Sequence, residues 1–198
     1  MRGAAAPGEG GGEGFLAAAA RTIRAIRAIR AIRAEGGLFL ADEVQPGFGR
    51  TDTAIWGFAR HGVIPDMVSL GKPMGNGYPV AGLVMRPEVI AEFGAKARYF
   101  NTFGGNAVAA RVAGAVLSVI EEEALMENAR RTGALFAEEL RSLARTHPAL
   151  GETRAAGLFL ATDILEEGRP SAAKTAWVVN RLREEGVLIS STGTAGTR

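Results

Sequence analysis

Cysteine is absent from this 198-residue chain, histidine occurs twice and lysine three times. Without cysteine there is no disulfide, no thiolate zinc site and no cysteine nucleophile. With only His61 and His147, a multi-histidine metal centre and most histidine base chemistry are excluded, and no metal is expected. No apolar run approaches the roughly 20 residues that a membrane span needs. The first residues lack the apolar stretch of a secretory signal. With 47% apolar residues, the expectation is a globular protein of the cytoplasm, with no membrane partner.

Charge is unevenly placed. Residues 1–34 hold six arginines and two glutamates, while the remainder is slightly acidic. The basic character belongs to one stretch, so no nucleic-acid partner is expected. Nearly every cation is arginine; the only lysines are Lys72, Lys96 and Lys174. Lysine is the side chain that supplies a deprotonatable amine, which arginine cannot.

Residues 1–14 are glycine-rich and read as a flexible lead-in. Ile-Arg-Ala then occurs four times between Ile23 and Ala34, within a helix predicted from Phe15 to Ala34. A three-residue period drifts by about 60° per repeat around a helix, so its isoleucines do not hold one face. Beyond Gly36-Gly37, short apolar runs at Leu38–Ala41, Asp66–Leu70 and Val80–Met85 read as strands of a mainly parallel sheet. Helices are predicted at Ala107–Glu122, capped by Asn106, at Leu125–Arg145 and at Ala172–Glu185, with strands at Gly157–Ile164 and Val187–Ser190.

Common nucleotide fingerprints fail. Gly71-Lys72 is followed by Pro73, which rules out a phosphate-binding P-loop, and no Gly-x-Gly-x-x-Gly survives inspection. What remains is an acid ending one strand, in Asp42-Glu43-Val44-Gln45-Pro46-Gly47-Phe48-Gly49-Arg50, and a lysine ending another, in Ser69-Leu70-Gly71-Lys72-Pro73-Met74-Gly75-Asn76-Gly77. Pyridoxal 5′-phosphate (PLP) needs that pair: an amine for a Schiff base, and a carboxylate to keep the pyridine nitrogen protonated.

These segments, with Tyr99-Phe100-Asn101-Thr102-Phe103-Gly104-Gly105-Asn106 and Arg154-Ala155-Ala156-Gly157-Leu158, closely resemble the class III aminotransferases, PLP enzymes of fold type I. Within the class, Gly71–Gly77 is most similar to the alanine–glyoxylate aminotransferase 2 group and its phospholyase relatives. The resemblance implies an α/β fold: part of a PLP-binding large domain over 15–106, then a connecting helix and part of a small α+β domain over 107–198. It implies that Lys72 forms the Schiff base and shuttles the proton, Asp42 pairs with the pyridine nitrogen, Val44 packs on the ring and Gln45 bonds the ring oxygen. It also implies that Thr102 bonds the cofactor phosphate of a neighbouring subunit, hence a homodimer. The partners it implies are a small-molecule amino donor and a 2-oxo acid acceptor.

Arg50 reads either as a pocket-lining residue or as a structural salt-bridge partner, whereas Trp56, Phe58, Lys96, Lys174 and both histidines read as structural or surface residues. Family members are about twice as long. The chain is therefore expected to be truncated at both ends, without the turn that grips the PLP phosphate and without the arginine for a substrate carboxylate. Ala107 replaces a usual proline, and Asp52 a usual glycine. Beside the aminotransferase, two alternatives stand: a phospholyase acting on an amino-alcohol phosphate, and a catalytically inactive fragment.

Overall fold

The computed structural model describes residues 24–193 and Gly196. The glycine-rich lead-in and the first part of the predicted 15–34 helix lie outside the described residues. Helix α1 runs Arg24–Ala34. Its isoleucines do drift: Ile29 is buried, whereas Ile32 is 45% exposed. Gly36 ends the helix at φ 75°. Its N–H donates to Arg33 O at 3.0 Å, and that of Gly37 to Ile32 O at 2.7 Å, the paired bonds of a Schellman cap.

Strands β1 (Leu40–Asp42), β2 (Met67–Leu70) and β3 (Gly82–Met85) form the first sheet, in that order. β1 and β2 are parallel, with Asp42 opposite Ser69; β2 and β3 are antiparallel. This stretch of sheet is thus mixed rather than uniformly parallel. At the entry to β2, buried Asp66 accepts from Arg33 Nε and Phe39 N at 2.9 Å each, and from Arg86 at 3.0 Å. One carboxylate joins α1, the lead into β1 and the exit of β3. The Arg33 side chain, then the Phe39 N–H and the Arg86 side chain, hold it at about 2, well below the usual carboxylate range. The last arginine of the repeat therefore has a structural role.

Helix α2 (Pro87–Lys96) was not predicted; it starts with Pro87 in the first turn, where a missing N–H costs nothing. Helix α3 (Ala107–Glu122) is capped by Asn106, which accepts from Ala109 N at 2.9 Å. Helix α4 (Leu125–Ala144) buries Ala129, Gly133 and Ala137, a four-residue spacing of small side chains along one face. That face lets the helix press against the second sheet, β4 (Leu150–Ala156), β5 (Phe159–Glu166) and β6 (Arg169–Pro170), antiparallel throughout. The β4–β5 turn is Gly157-Leu158, with Gly157 at φ 56°. Within the hairpin, buried Arg154 pairs with Asp163 and with Glu152. Helix α5 (Ala172–Glu184) follows, capped by Ser171.

Strand β4, like α2, was not predicted. Predicted elements match within a few residues, except that the strand expected at Val187–Ser190 does not form. Val187 N instead closes the end of α5 on Leu182 O at 2.8 Å. Leu188 is 84% exposed; a strand needs a ladder partner, and none lies beside this run among the described residues.

Candidate active site

The site begins where β1 and β2 end. Open α/β sheets bind ligands beyond the carboxyl ends of their parallel strands, and both Asp42 and Lys72 are placed there. Asp42 is exposed. Its Oδ1 accepts from Val44 N and from Ser69 Oγ, each at 3.1 Å. The carboxylate is thus held by its own loop and by the strand leading to Lys72.

Lys72 opens the 3₁₀ turn Lys72–Gly75 with φ 43°. A non-glycine residue in the left-handed region carries strain, and such residues concentrate at functional sites. Its side chain is exposed and forms no ion pair with any described residue, whereas Lys96 pairs with Glu92 on the surface of α2. The Val44 methyl carbons lie 3.8 Å from where a Cβ on Gly71 would be. Val44 therefore packs beside the lysine turn. Gln45 is exposed at the start of the same loop.

Thr102 is the outlier. It is exposed in the turn before α3 and forms no hydrogen bond with Asp42, Val44, Gln45 or Lys72. Its turn is braced from within: Asn101 Oδ1 accepts from Phe103 N at 3.2 Å and from Gly104 N at 2.8 Å. Tyr99, Phe100 and Phe103 around it are 71%, 85% and 83% exposed.

Two contributors went unassigned from the sequence. Ser69 was quoted only as part of the motif. Glu43 is 1% exposed, and its carboxylate accepts from Gly57 N at 2.6 Å and Phe58 N at 2.8 Å. Burial raises its carboxyl above the usual range, against the lowering effect of those two N–H groups. A signal existed: strand neighbours face opposite sides, so two acids in a row at a strand end send one of them inward.

A cavity of about 630 Å³ lies behind the lysine turn, lined by Phe48, Pro73, Tyr78, Val116, Ile120 and Leu158 among others. None of the five candidate residues lines it, and its wall carries no amine or carboxylate. The cavity and the strand-end crevice are thus separate features, and Arg50, Asn76 and Asn128 supply polar side chains to the cavity.

The aminotransferase class-III family profile matches residues 5–198. The chain belongs to the class-III aminotransferases. A mitochondrial alanine–glyoxylate aminotransferase 2 homologue of Arabidopsis thaliana is 40% identical over 92% of this chain and 37% of its own length. An ethanolamine-phosphate phospho-lyase homologue of Caenorhabditis elegans is 36% identical over 80% of the chain and 35% of its own length. Among solved structures, an Arthrobacter phospholyase in complex with phosphoethanolamine superposes with a TM-score of 0.83 at 38% identity, covering 88% of this chain and 42% of that one. The chain thus spans little more than a third of the curated relatives' length.

PLP is the cofactor of this family. The donor set fits it: a primary amine and a doubly held carboxylate at neighbouring strand ends, with an apolar side chain between. The expected cytoplasmic location is corrected by the same comparison. The Arabidopsis relative is named mitochondrial, and composition carries no address for a chain that spans part of such a protein.

Proposed function

We propose that this chain carries the cofactor-anchoring centre of a PLP-dependent aminotransferase, which moves an amino group from an amino acid or amine to a 2-oxo acid. The observation that carries the reading is the pairing of Asp42 and Lys72 at the ends of adjacent parallel strands. Bound there, PLP supplies an electron sink next to the donor's Cα. Lys72 Nζ holds the cofactor covalently, and once released takes the Cα proton and returns it during the transfer. Asp42 keeps a proton on the pyridine nitrogen. Val44 packs on the ring, and the Gln45 amide donates to the ring oxygen.

Thr102 serves the phosphate of a second subunit, so the working unit is a homodimer. The support is physical: its turn is rigidly braced, yet presents three exposed aromatic rings, a surface of the kind that a partner covers. Residues 15–106 then form the cofactor-binding part, and residues 107–198 the connecting helix and small-domain part.

A second reading is specific enough to keep. The similarity to phospho-lyases supports elimination of phosphate from an amino-alcohol phosphate by the same lysine and aspartate. A third, a catalytically inactive fragment, is supported by Leu83 and Val84 on β3, which are 50% and 57% exposed.

One experiment separates them. The chain is mixed with PLP, treated with borohydride and mapped by mass spectrometry, beside Lys72→Ala. Stoichiometric labelling at Lys72 is expected; its absence would leave only the inactive fragment. Amine transfer dependent on a 2-oxo acid supports the aminotransferase, and inorganic phosphate released from phosphoethanolamine supports the phospholyase.

A further inference from the structure

Among the described residues, Glu43 is the most deeply buried acid that the proposed reaction does not use. It sits between the cofactor carboxylate Asp42 and the ring-packing Val44. Its backbone N–H donates to Ser69 O at 3.0 Å, and its carbonyl accepts from Gly47 N at 3.1 Å. Its side chain reaches 14 and 15 residues ahead, to the N–H groups of Gly57 and Phe58. One residue therefore ties together the end of β2, the loop that leaves β1 and the 3₁₀ turn Gly57–His61.

A buried carboxylate is costly unless its oxygens are bonded. Here each oxygen takes one backbone donor, and no cation pairs with it among the described residues. An apolar or amide side chain would fill the space at lower desolvation cost, but neither presents two acceptors to two adjacent N–H groups. Asp42 and Glu43 leave the strand in opposite directions, one exposed and one buried. Anchoring Glu43 thus turns Asp42 toward the lysine turn.

We propose that Glu43 is a positioning residue for the cofactor site, fixing from beneath the loop that aims Asp42 and Val44 at the Gly71-Lys72 turn. The inference rests on the reading of Asp42 and Lys72 as the cofactor pair.

The test compares Glu43→Gln with Asp66→Asn in the full chain. Asp66 lies at the opposite end of β2 and matches Glu43 in burial, so it controls for lost stability. The readouts are the PLP dissociation constant and amide hydrogen exchange. Glu43→Gln is expected to weaken PLP binding about tenfold, as loss of an outer support to a ligating group does, and to speed exchange at Val44 and Gly47. Asp66→Asn is expected to shift PLP binding by less than about threefold and to leave exchange at those two amides unchanged. Equal weakening in both variants, or wild-type PLP affinity in Glu43→Gln, overturns the proposal. Should Glu43→Gln fail to fold, Glu43→Asp, with both acceptors one methylene shorter, carries the same comparison. If the wild-type chain binds no PLP, the proposed function falls, while exchange at Val44 and Gly47 still decides whether Glu43 holds the loop.

Discussion

The Ser69 hydroxyl donates to Asp42 Oδ1 at 3.1 Å across the parallel β1–β2 pair. The strand that delivers Lys72 thereby also orients the carboxylate. Ser69→Ala removes one of the two donors on that oxygen. Since a hydrogen bond to a charged group contributes about 1.5 kcal/mol at the low end suited to an exposed site, PLP binding is expected to weaken roughly tenfold with little change in thermal stability. Titration of the variant with PLP checks this; unchanged affinity would show that Val44 N alone orients the group.

Asp66 sets an acid limit. Its carboxyl titrates at about 2 in the folded chain, against an ordinary 3.8. A depressed folded value means that the unfolded chain binds the proton first as pH falls. The stabilisation is complete above about pH 4 and disappears as pH drops toward 2. Denaturant melts across that window are expected to show stability falling with acid, and the slope is expected to shrink in Asp66→Asn. An identical slope in the variant would assign acid sensitivity to other groups.

Gly133 of α4 meets the β4–β5 turn backbone to backbone. A Cβ there would lie 2.1 Å from Gly157 O, which neither backbone can yield without separating helix and hairpin. Gly133→Ala is expected to destabilise by about 2 kcal/mol or more, read as a lower denaturation midpoint. The same turn anchors the loop downstream of Asp42, because Leu158 N donates to Arg50 O at 3.1 Å.

Asp52 stands at φ 70°, in the left-handed region, with its Oδ1 buried and without a hydrogen-bond partner among the described residues. Glycine adopts that conformation freely, whereas an L side chain there costs about 1 kcal/mol. Asp52→Gly is expected to stabilise by up to that amount, the gain being reduced by loss of the charge that faces Arg130. A destabilised variant would show that the Arg130 interaction outweighs the strain.

Where the candidate residues would stand in the fold was readable because the cues are local. Asp42 and Lys72 follow short apolar runs directly, and Asn106 caps its helix from the adjacent residue. The three-residue repeat announced an unsteady helix face, and Ile29 and Ile32 differ accordingly. The strand at Val187–Ser190 failed for the converse reason. Its apolar pattern is sound, but pairing depends on a neighbour that pattern cannot supply.

By itself the sequence determined which chemistry is available: no thiol, two imidazoles, three lysine amines, and one of those amines in a motif matched to an acid at the end of the preceding strand pattern. Residue type and spacing are covalent facts, and they suffice to limit the cofactor. Only the tertiary structure decided which distant groups meet. Ser69 reaches Asp42 across a strand pair, Glu43 reaches residues 57 and 58 beneath the loop, and, at the other end of the sheet, Arg33 closes on Asp66. Those contacts join residues 14 to 33 positions apart. Hydrogen bonds of that separation exist only once the chain has returned on itself, so no local pattern records them.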